Sequence, residues 1–208
     1  MSWGATTRVP LELYGRRVQL RPLAATDFDA WREVRTRARD WLVKWEPRPL
    51  PGQPDPTGDR RVFAARCGAR DRERQLGSGY GFGIFVNGRF GGEIYLSSLQ
   101  RGPFQNASVG YWVDEALAGQ GYVPEAVVVL FRFAFEELAL HRLQVAIIPR
   151  NTPSRRVAEK LGLREEGIAV RYLEINGDWE DHVRYAITAE EWAERQDDYL
   201  RDWVLPAP

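Results

Sequence analysis

Apolar and polar positions alternate with period two in RRVQLRPL (16–23), where Val18 and Leu20 mark one face, so this segment is expected to be a strand. Phe28, Trp31, Val34 and Ala38 then recur at helical spacing behind Thr26 and Asp29, which read as a capping box. Residues 59–74 form a charged helical stretch. Tyr80–Val86 and Arg89–Leu99 read as a hairpin turning at Asn87-Gly88, and after the RGPFQN loop 107–114 is a further strand. From Gly121 the chain is apolar nearly all round, as expected of a helix buried against a sheet. HRLQVAII (141–148) is a short apolar strand. In NTPSRRVAEKLG, Asn151 or Thr152 stands at an N-cap, Pro153 at the first helical position and Gly162 at the stop. A second hairpin turns at Asn176-Gly177. Thr188 with Glu191 caps a last amphipathic helix carrying Trp192, Tyr199 and Trp203. The order predicts an α/β (mixed α+β) sheet and excludes a regular βαβ Rossmann domain.

Between the first two helices, five prolines from Pro47 to Pro56 forbid a continuous helix. Trp41, Trp45 and Leu50 make this segment too apolar for a flexible linker, so it reads as a packed loop or the rim of a site. At 208 residues the chain is expected to be one domain, 1–208, and its 44% apolar content suffices for a sizeable core. Twenty-nine basic residues balance 29 acidic ones, which leaves no overall field to collect nucleic acid. Cys67 is the single cysteine and His141 and His182 the two histidines, so no disulfide framework and no metal are expected. The first 18 residues lack the apolar core of a signal peptide, and no run reaches the roughly 18 apolar residues of a membrane span, which makes the cytoplasm the expected compartment.

Two glycine-bearing segments invite a phosphate-loop reading. Gly77 to Gly83 opens a strand, whereas a dinucleotide loop ends one, so its glycines are read as packing glycines. Ala118 to Ala126 lies between a strand and the start of the long buried helix. Unpartnered N–H groups, glycines that admit a ligand to the backbone and the helix dipole together suit a pyrophosphate there. An ordinary strand-to-helix turn is the alternative.

The segment GYWVDEALAGQGYVPEA (110–126), with NTPSRRVAEKLGL following from 151, resembles motifs A and B of the GCN5-related N-acetyltransferase (GNAT) superfamily. WLVKWEP, RGPF, GYWVD and YLEINGDWEDHV resemble the RimJ type within it, the ribosomal-protein alanine N-acetyltransferases, and the likeness runs over residues 16–192 in matching order. This resemblance implies a GNAT fold, a central twisted mixed sheet whose fourth and fifth strands splay apart to admit acetyl-CoA. It implies a backbone cradle at Gly119, Gln120, Gly121, Tyr122, Val123 and Pro124, and a strand edge at Trp112 and Val113 for pantetheine. Two positions depart from the pattern: Ala118 stands where Arg or Gln is usual and Val123 where a small residue is, so the cradle must rely on backbone amides and Gln120. Asn151 and Ser154 match the family's Asn-x-x-Ser. Each can serve as a helix cap, while the Asn amide can bind pantetheine or substrate and the Ser hydroxyl can protonate a departing thiolate. Arg155 and Arg156 are candidates for coenzyme phosphates, with solvated charge the alternative for at least one.

For the acceptor amine, Glu46 is expected at the pocket mouth between Trp45 and Pro47, with an exposed loop carboxylate the alternative, and Glu174 competes with it from a strand face shared with Tyr172 and Asn176. Glu93 is weaker, and Asp181 and His182 are assigned to hydrogen-bonding structure. A peptide α-amine with pKa about 7.7–8.0 costs only a few tenths of a kcal/mol to free near neutrality, against about 4 kcal/mol for a lysine at about 10.4. No dedicated strong base is then required. The resemblance therefore implies direct acetyl transfer from acetyl-CoA to a protein N-terminal α-amine, such as that of a ribosomal protein, with no covalent intermediate on Cys67. A small-molecule amine acetyltransferase and a non-catalytic acyl-CoA-binding module are the alternatives, and the sequence leaves the oligomeric state open.

Overall fold

The structure, a computed structural model, describes residues 12–49 and 51–205. Leu50 and most of the segment read for a signal peptide lie outside these residues. Eight strands form one sheet: β1 (Leu13–Tyr14), β2 (Val18–Arg21), β3 (Tyr80–Val86), β4 (Arg89–Gln100), β5 (Asn106–Val113), β6 (Arg142–Ile147), β7 (Arg164–Ile175) and β8 (Asp178–Thr188). Their spatial order is β1-β2-β3-β4-β5-β6-β8-β7. The helices are α1 (Phe28–Arg37), α2 (Arg39–Leu42), α3 (Arg60–Gln75), α4 (Tyr122–Arg132), α5 (Thr152–Lys160) and α6 (Ala189–Tyr199). This is the mixed sheet expected from the periodicities, and both Asn-Gly pairs take the left-handed backbone of a tight hairpin turn.

Every neighbouring pair is antiparallel except β5 and β6, which run parallel and match only over Asn106–Ser108 and Arg142–Gln144. Each then follows its other neighbour. β5 stays with β4 as far as Val113 opposite Gly92, and β6 stays with β8 as far as Ile147 opposite Val183. A V opens between them, and from Val109 onward the β5 edge that faces β6 has no strand partner among the described residues.

One sheet face carries α4, whose residues Val123–Phe131 are all buried because sheet lies on one side and α5 and the C-terminal turns on the others. On the other face α1 and α3 enclose a smaller cluster in which Trp31 and Phe63 pack with ring centroids 4.8 Å apart. Full burial of each such aromatic is worth roughly 1.5–3 kcal/mol. A Cβ on Gly83 would fall 2.6 Å from Leu23, so this glycine serves close packing, as the strand-opening context predicts.

The Thr26–Asp29 capping box does not form. A 3-10 turn over Ala25–Asp27 precedes α1, and Asp27 accepts the Ala24 N–H at 2.8 Å while pairing with both terminal nitrogens of Arg21. The extra turn moves the capping position back, and Asp29 instead faces Arg60 at 2.7 Å.

Candidate functional site

At the tip of β5, Asp114 caps the short turn Glu115–Leu117 through the Ala116 N–H at 3.2 Å and pairs with Arg37. The chain then enters α4 through Gly119 and Gly121, with φ of 76° and 84°, a backbone that costs a side-chain-bearing residue about 1–2 kcal/mol. Gly121 is the N-cap and offers no side chain. Among the described residues, the N–H groups of Gly119, Gln120, Gly121, Tyr122 and Val123 have no protein acceptor. Five such donors at the positive end of a buried helix make an anion cradle. Pro124 contributes no N–H, and the Val123 side chain is buried in the core and does not crowd the donors. The Gln120 side-chain amide turns back to the Ala116 carbonyl at 2.8 Å, so the donors that face outward here are backbone groups.

Behind the cradle lies an ion pair that the sequence did not reveal. Glu125 is 1% exposed and accepts the backbone N–H groups of Arg17 and Val18 (the latter at 2.9 Å) together with the Arg17 guanidinium at 2.9 Å. Arg17 also donates to the Gln120 carbonyl at 3.1 Å and lies over the Tyr122 ring at 4.7 Å, so β2 and the cradle are clamped together. A carboxylate in the first helical turn signals only a dipole partner from sequence. Its strand partner lies 108 residues away.

Across the V, the Asn151 side-chain oxygen accepts the Ser154 N–H at 3.2 Å and caps α5. The Ser154 hydroxyl lies 2.8 Å from the Tyr111 hydroxyl, which spans from β5. Burial, partly offset by its bond to Ser154, pushes this phenol up to about 12. Arg155 donates to the Tyr185 hydroxyl at 3.2 Å, while Arg156 is exposed and has no partner among the described residues. The Trp112 ring faces the α1 side, 5.8 Å from Phe90 and beneath the Arg35 guanidinium at 4.9 Å, so only its backbone borders the V.

On the α1 side, Glu46 is held between both terminal nitrogens of Arg35 at 2.5 and 2.8 Å. Its carbonyl accepts the Asn176 N–H at 2.9 Å, and Arg48 donates to the Asn176 carbonyl at 3.0 Å. Trp45 lies under Arg150 at 5.5 Å. The start of the proline-rich segment, Trp45 to Arg48, thus straps α1 to the β7–β8 turn, whereas residues 51–55 are exposed. Glu174 is exposed opposite Trp179. Arg171, with φ of 47°, and the register shift between Ala169 and Leu173 interrupt β7 ahead of Glu174, and Asn176, with φ of 50°, lies in the turn beyond the strand. Glu93 is buried and joins β4 to α1 and α3 through the Trp31 indole at 2.7 Å and Arg66 at 2.6 Å. Asp181 accepts the Arg171 N–H at 2.8 Å, and His182 lies 2.9 Å from the Glu180 carbonyl and against Tyr172, in keeping with a framework role.

Cys67 is buried beside Phe63 and Trp31 on the α1/α3 face, and burial pushes its thiol up to about 11. The reactive thiolate is then about a few ten-thousandths of the population near pH 7.5. Iodoacetamide should alkylate the native protein at pH 7.5 at least about 100-fold more slowly than the unfolded chain, and Cys67→Ala should keep full turnover. Rapid alkylation with parallel loss of activity would contradict this. No group of three or more His, Cys, Asp and Glu among the described residues is placed to hold a metal, and no described helix is long and apolar enough to cross a membrane.

Comparison with known proteins places this geometry. Residues 17–164 match the model of the acetyltransferase (GNAT) domain. YjcK of Bacillus subtilis (strain 168), named "Probable N-acetyltransferase", is 34% identical over 84% of this chain and 96% of its own length. The "[Ribosomal protein uS5]-alanine N-acetyltransferase" of Escherichia coli (strain K12) is 31% identical over 80% of this chain and 86% of its own. Among solved structures, "Mycobacterium smegmatis RimJ in complex with CoA-disulfide" superposes with a TM-score of 0.80 at 33% identity, covering 91% of each chain. With the parted strands, the glycine-bearing helix entry and the Asn-x-x-Ser helix all present in one continuous match, the chain belongs to the GNAT acetyltransferase family and is an N-acetyltransferase.

Proposed function

We propose that the chain acts as one catalytic domain in the cytoplasm and moves acetyl from acetyl-CoA to the N-terminal α-amine of a protein, with ribosomal proteins as the acceptor class. The parting of β5 and β6 carries this reading: it leaves a free strand edge with unpaired N–H groups at its tip and the Ser154 hydroxyl on the facing wall. The relatives that act on ribosomal protein uS5 and the RimJ structure holding CoA support the choice of acceptor and donor.

The residues fit the coenzyme. The amides of Gly119 to Val123 take the pyrophosphate, Arg156 is free to meet a phosphate, and the backbone edge at Trp112 and Val113 takes the pantetheine amides. Asn151 caps α5 with its oxygen, which leaves its NH₂ to donate to the same arm. Acetyl-CoA supplies an acyl carbon attached to a thiol leaving group. Backbone N–H groups near Val113 stabilise the charge that builds on the carbonyl oxygen. The amine lone pair forms the C–N bond, the C–S bond breaks with its electron pair going to sulfur, and Ser154 passes its hydroxyl proton to that sulfur. The proton shed by nitrogen returns to Ser154 through water, so the exchange balances.

Glu46 holds the incoming amine as a hydrogen-bond acceptor. Arg35 occupies one lone pair of each oxygen and leaves the others for an ammonium, while neutralising the net charge. Glu174, on the nearby hairpin, is the second carboxylate of the acceptor side. Glu46→Gln should raise the peptide KM about tenfold, lower turnover and leave the acetyl-CoA KM alone, and adding Glu174→Gln should be worse than either change. The deciding experiment is mass spectrometry of products from a panel of peptides and small amines, paired with N-terminal acetylation in cells with and without the protein. Acetyl on the first residue supports the reading. Exclusive lysine acetylation, or faster turnover of small amines than of any peptide, overturns the acceptor class.

A further inference from the structure

The Ser154 hydroxyl has one side-chain hydrogen-bond partner among the described residues, and it comes from the other wall of the V. The Tyr111 hydroxyl lies 2.8 Å from the Ser154 hydroxyl and 3.4 Å from the Ser154 carbonyl. Two hydrogen-bond arrangements satisfy these distances. In one, Tyr111 donates to the Ser154 hydroxyl oxygen, and the serine proton stays free to point into the V. In the other, Ser154 donates to Tyr111, and the phenol must make do with the carbonyl at the longer distance. A phenol is the stronger donor, and a buried hydroxyl left with a stretched bond costs about 1–3 kcal/mol. Both arguments favour the first arrangement. Burial keeps Tyr111 protonated, its phenol pushed up to about 12, so the donor persists throughout the neutral range.

We infer that Tyr111 is a positioning residue for acyl transfer: by donating to the Ser154 hydroxyl oxygen it turns the serine proton toward the departing sulfur. The inference rests on the reading of Ser154 as the acid that serves the thiolate. Tyr111 touches neither substrate and gives up no proton. It occupies a lone pair on Ser154, sets the side-chain orientation and stabilises the oxygen while its own proton is leaving. The α5 cap is independent of it, because Asn151 supplies that bond.

The test is steady-state kinetics with an N-terminal alanine peptide and acetyl-CoA for the native protein, Tyr111→Phe, Ser154→Ala and the double variant, with thermal midpoints measured alongside. Tyr111→Phe should lower kcat about tenfold with the acetyl-CoA KM unchanged. In the Ser154→Ala background it should cost nothing more, because the two hydroxyls act as one unit. An unchanged or faster kcat in Tyr111→Phe, beside a clear Ser154→Ala defect, would overturn the inference alone and assign the hydrogen bonds the other way round. A multiplicative loss in the double variant would also overturn it. Full turnover in Ser154→Ala would remove the acid itself, and the functional reading of Ser154 with it.

Discussion

Ser154→Ala lowers turnover by about 10- to 10⁴-fold and leaves the acetyl-CoA KM little changed: this is the expected result if the serine proton meets the departing sulfur. The range runs from an acid that solvent can partly replace to full loss of general-acid catalysis. The substitution separates chemistry from packing because the α5 cap uses the Ser154 backbone N–H and the Asn151 oxygen, both of which survive in the alanine variant. The lost stability is then one hydrogen bond to Tyr111, about 1 kcal/mol. A variant that turns over normally and only melts lower would reduce Ser154 to a structural residue.

The second large effect is on stability. Glu125→Ala should cost about 2–4 kcal/mol, because the surviving Arg17 stays solvated and the loss comes from buried N–H groups left without their charged acceptor, at about 1–3 kcal/mol each. For a chain of this size that lowers the melting temperature by on the order of 10 °C. Two backbone N–H groups at the start of β2 lose their acceptor, and Arg17, whose side chain is 42% exposed, loses its counter-charge. Glu125→Gln should cost less, since a carboxamide oxygen still accepts the Val18 N–H. Because Arg17 also holds the Gln120 carbonyl, the acetyl-CoA KM should rise in both variants, more in alanine. Urea unfolding of the three proteins decides it. Equal midpoints would mean that the ion pair contributes no net stability.

The Gly121 backbone limits one obvious test of the cradle. With φ of 84° and the Arg17 guanidinium 3.2 Å from where a Cβ would stand, Gly121→Val strains the helix entry and the clamp together. A rise in KM would then not separate lost phosphate donors from a displaced helix. The glycine requirement is a matter of backbone and ion-pair geometry before any ligand arrives.

Interactions closed within one turn or one hairpin were legible in the residue pattern. The Asn-Gly turns, the Asn151 cap, the Thr188–Glu191 box and the all-round apolar α4 each depend on residues two to eight positions apart, and short-range periodicity encodes such spacings directly. The same local reading failed where one extra turn or one left-handed residue changed the phase. The 3-10 turn moved the first cap back from Thr26 to Ala24, and a register shift around Arg171 interrupted β7. Family motifs point to positions and not to side-chain directions: the Gln120 amide bonds the Ala116 carbonyl, and the Trp112 ring lies on the α1 side of the sheet. The pairs that close the candidate site, Tyr111 with Ser154 and Arg17 with Glu125, are 43 and 108 residues apart. Such contacts are set by sheet order and by the splay of β5 from β6, which arises because each strand keeps its outer neighbour beyond a three-residue parallel match. No local period carries that competition between neighbours, so these partners become visible only when the strands are assembled.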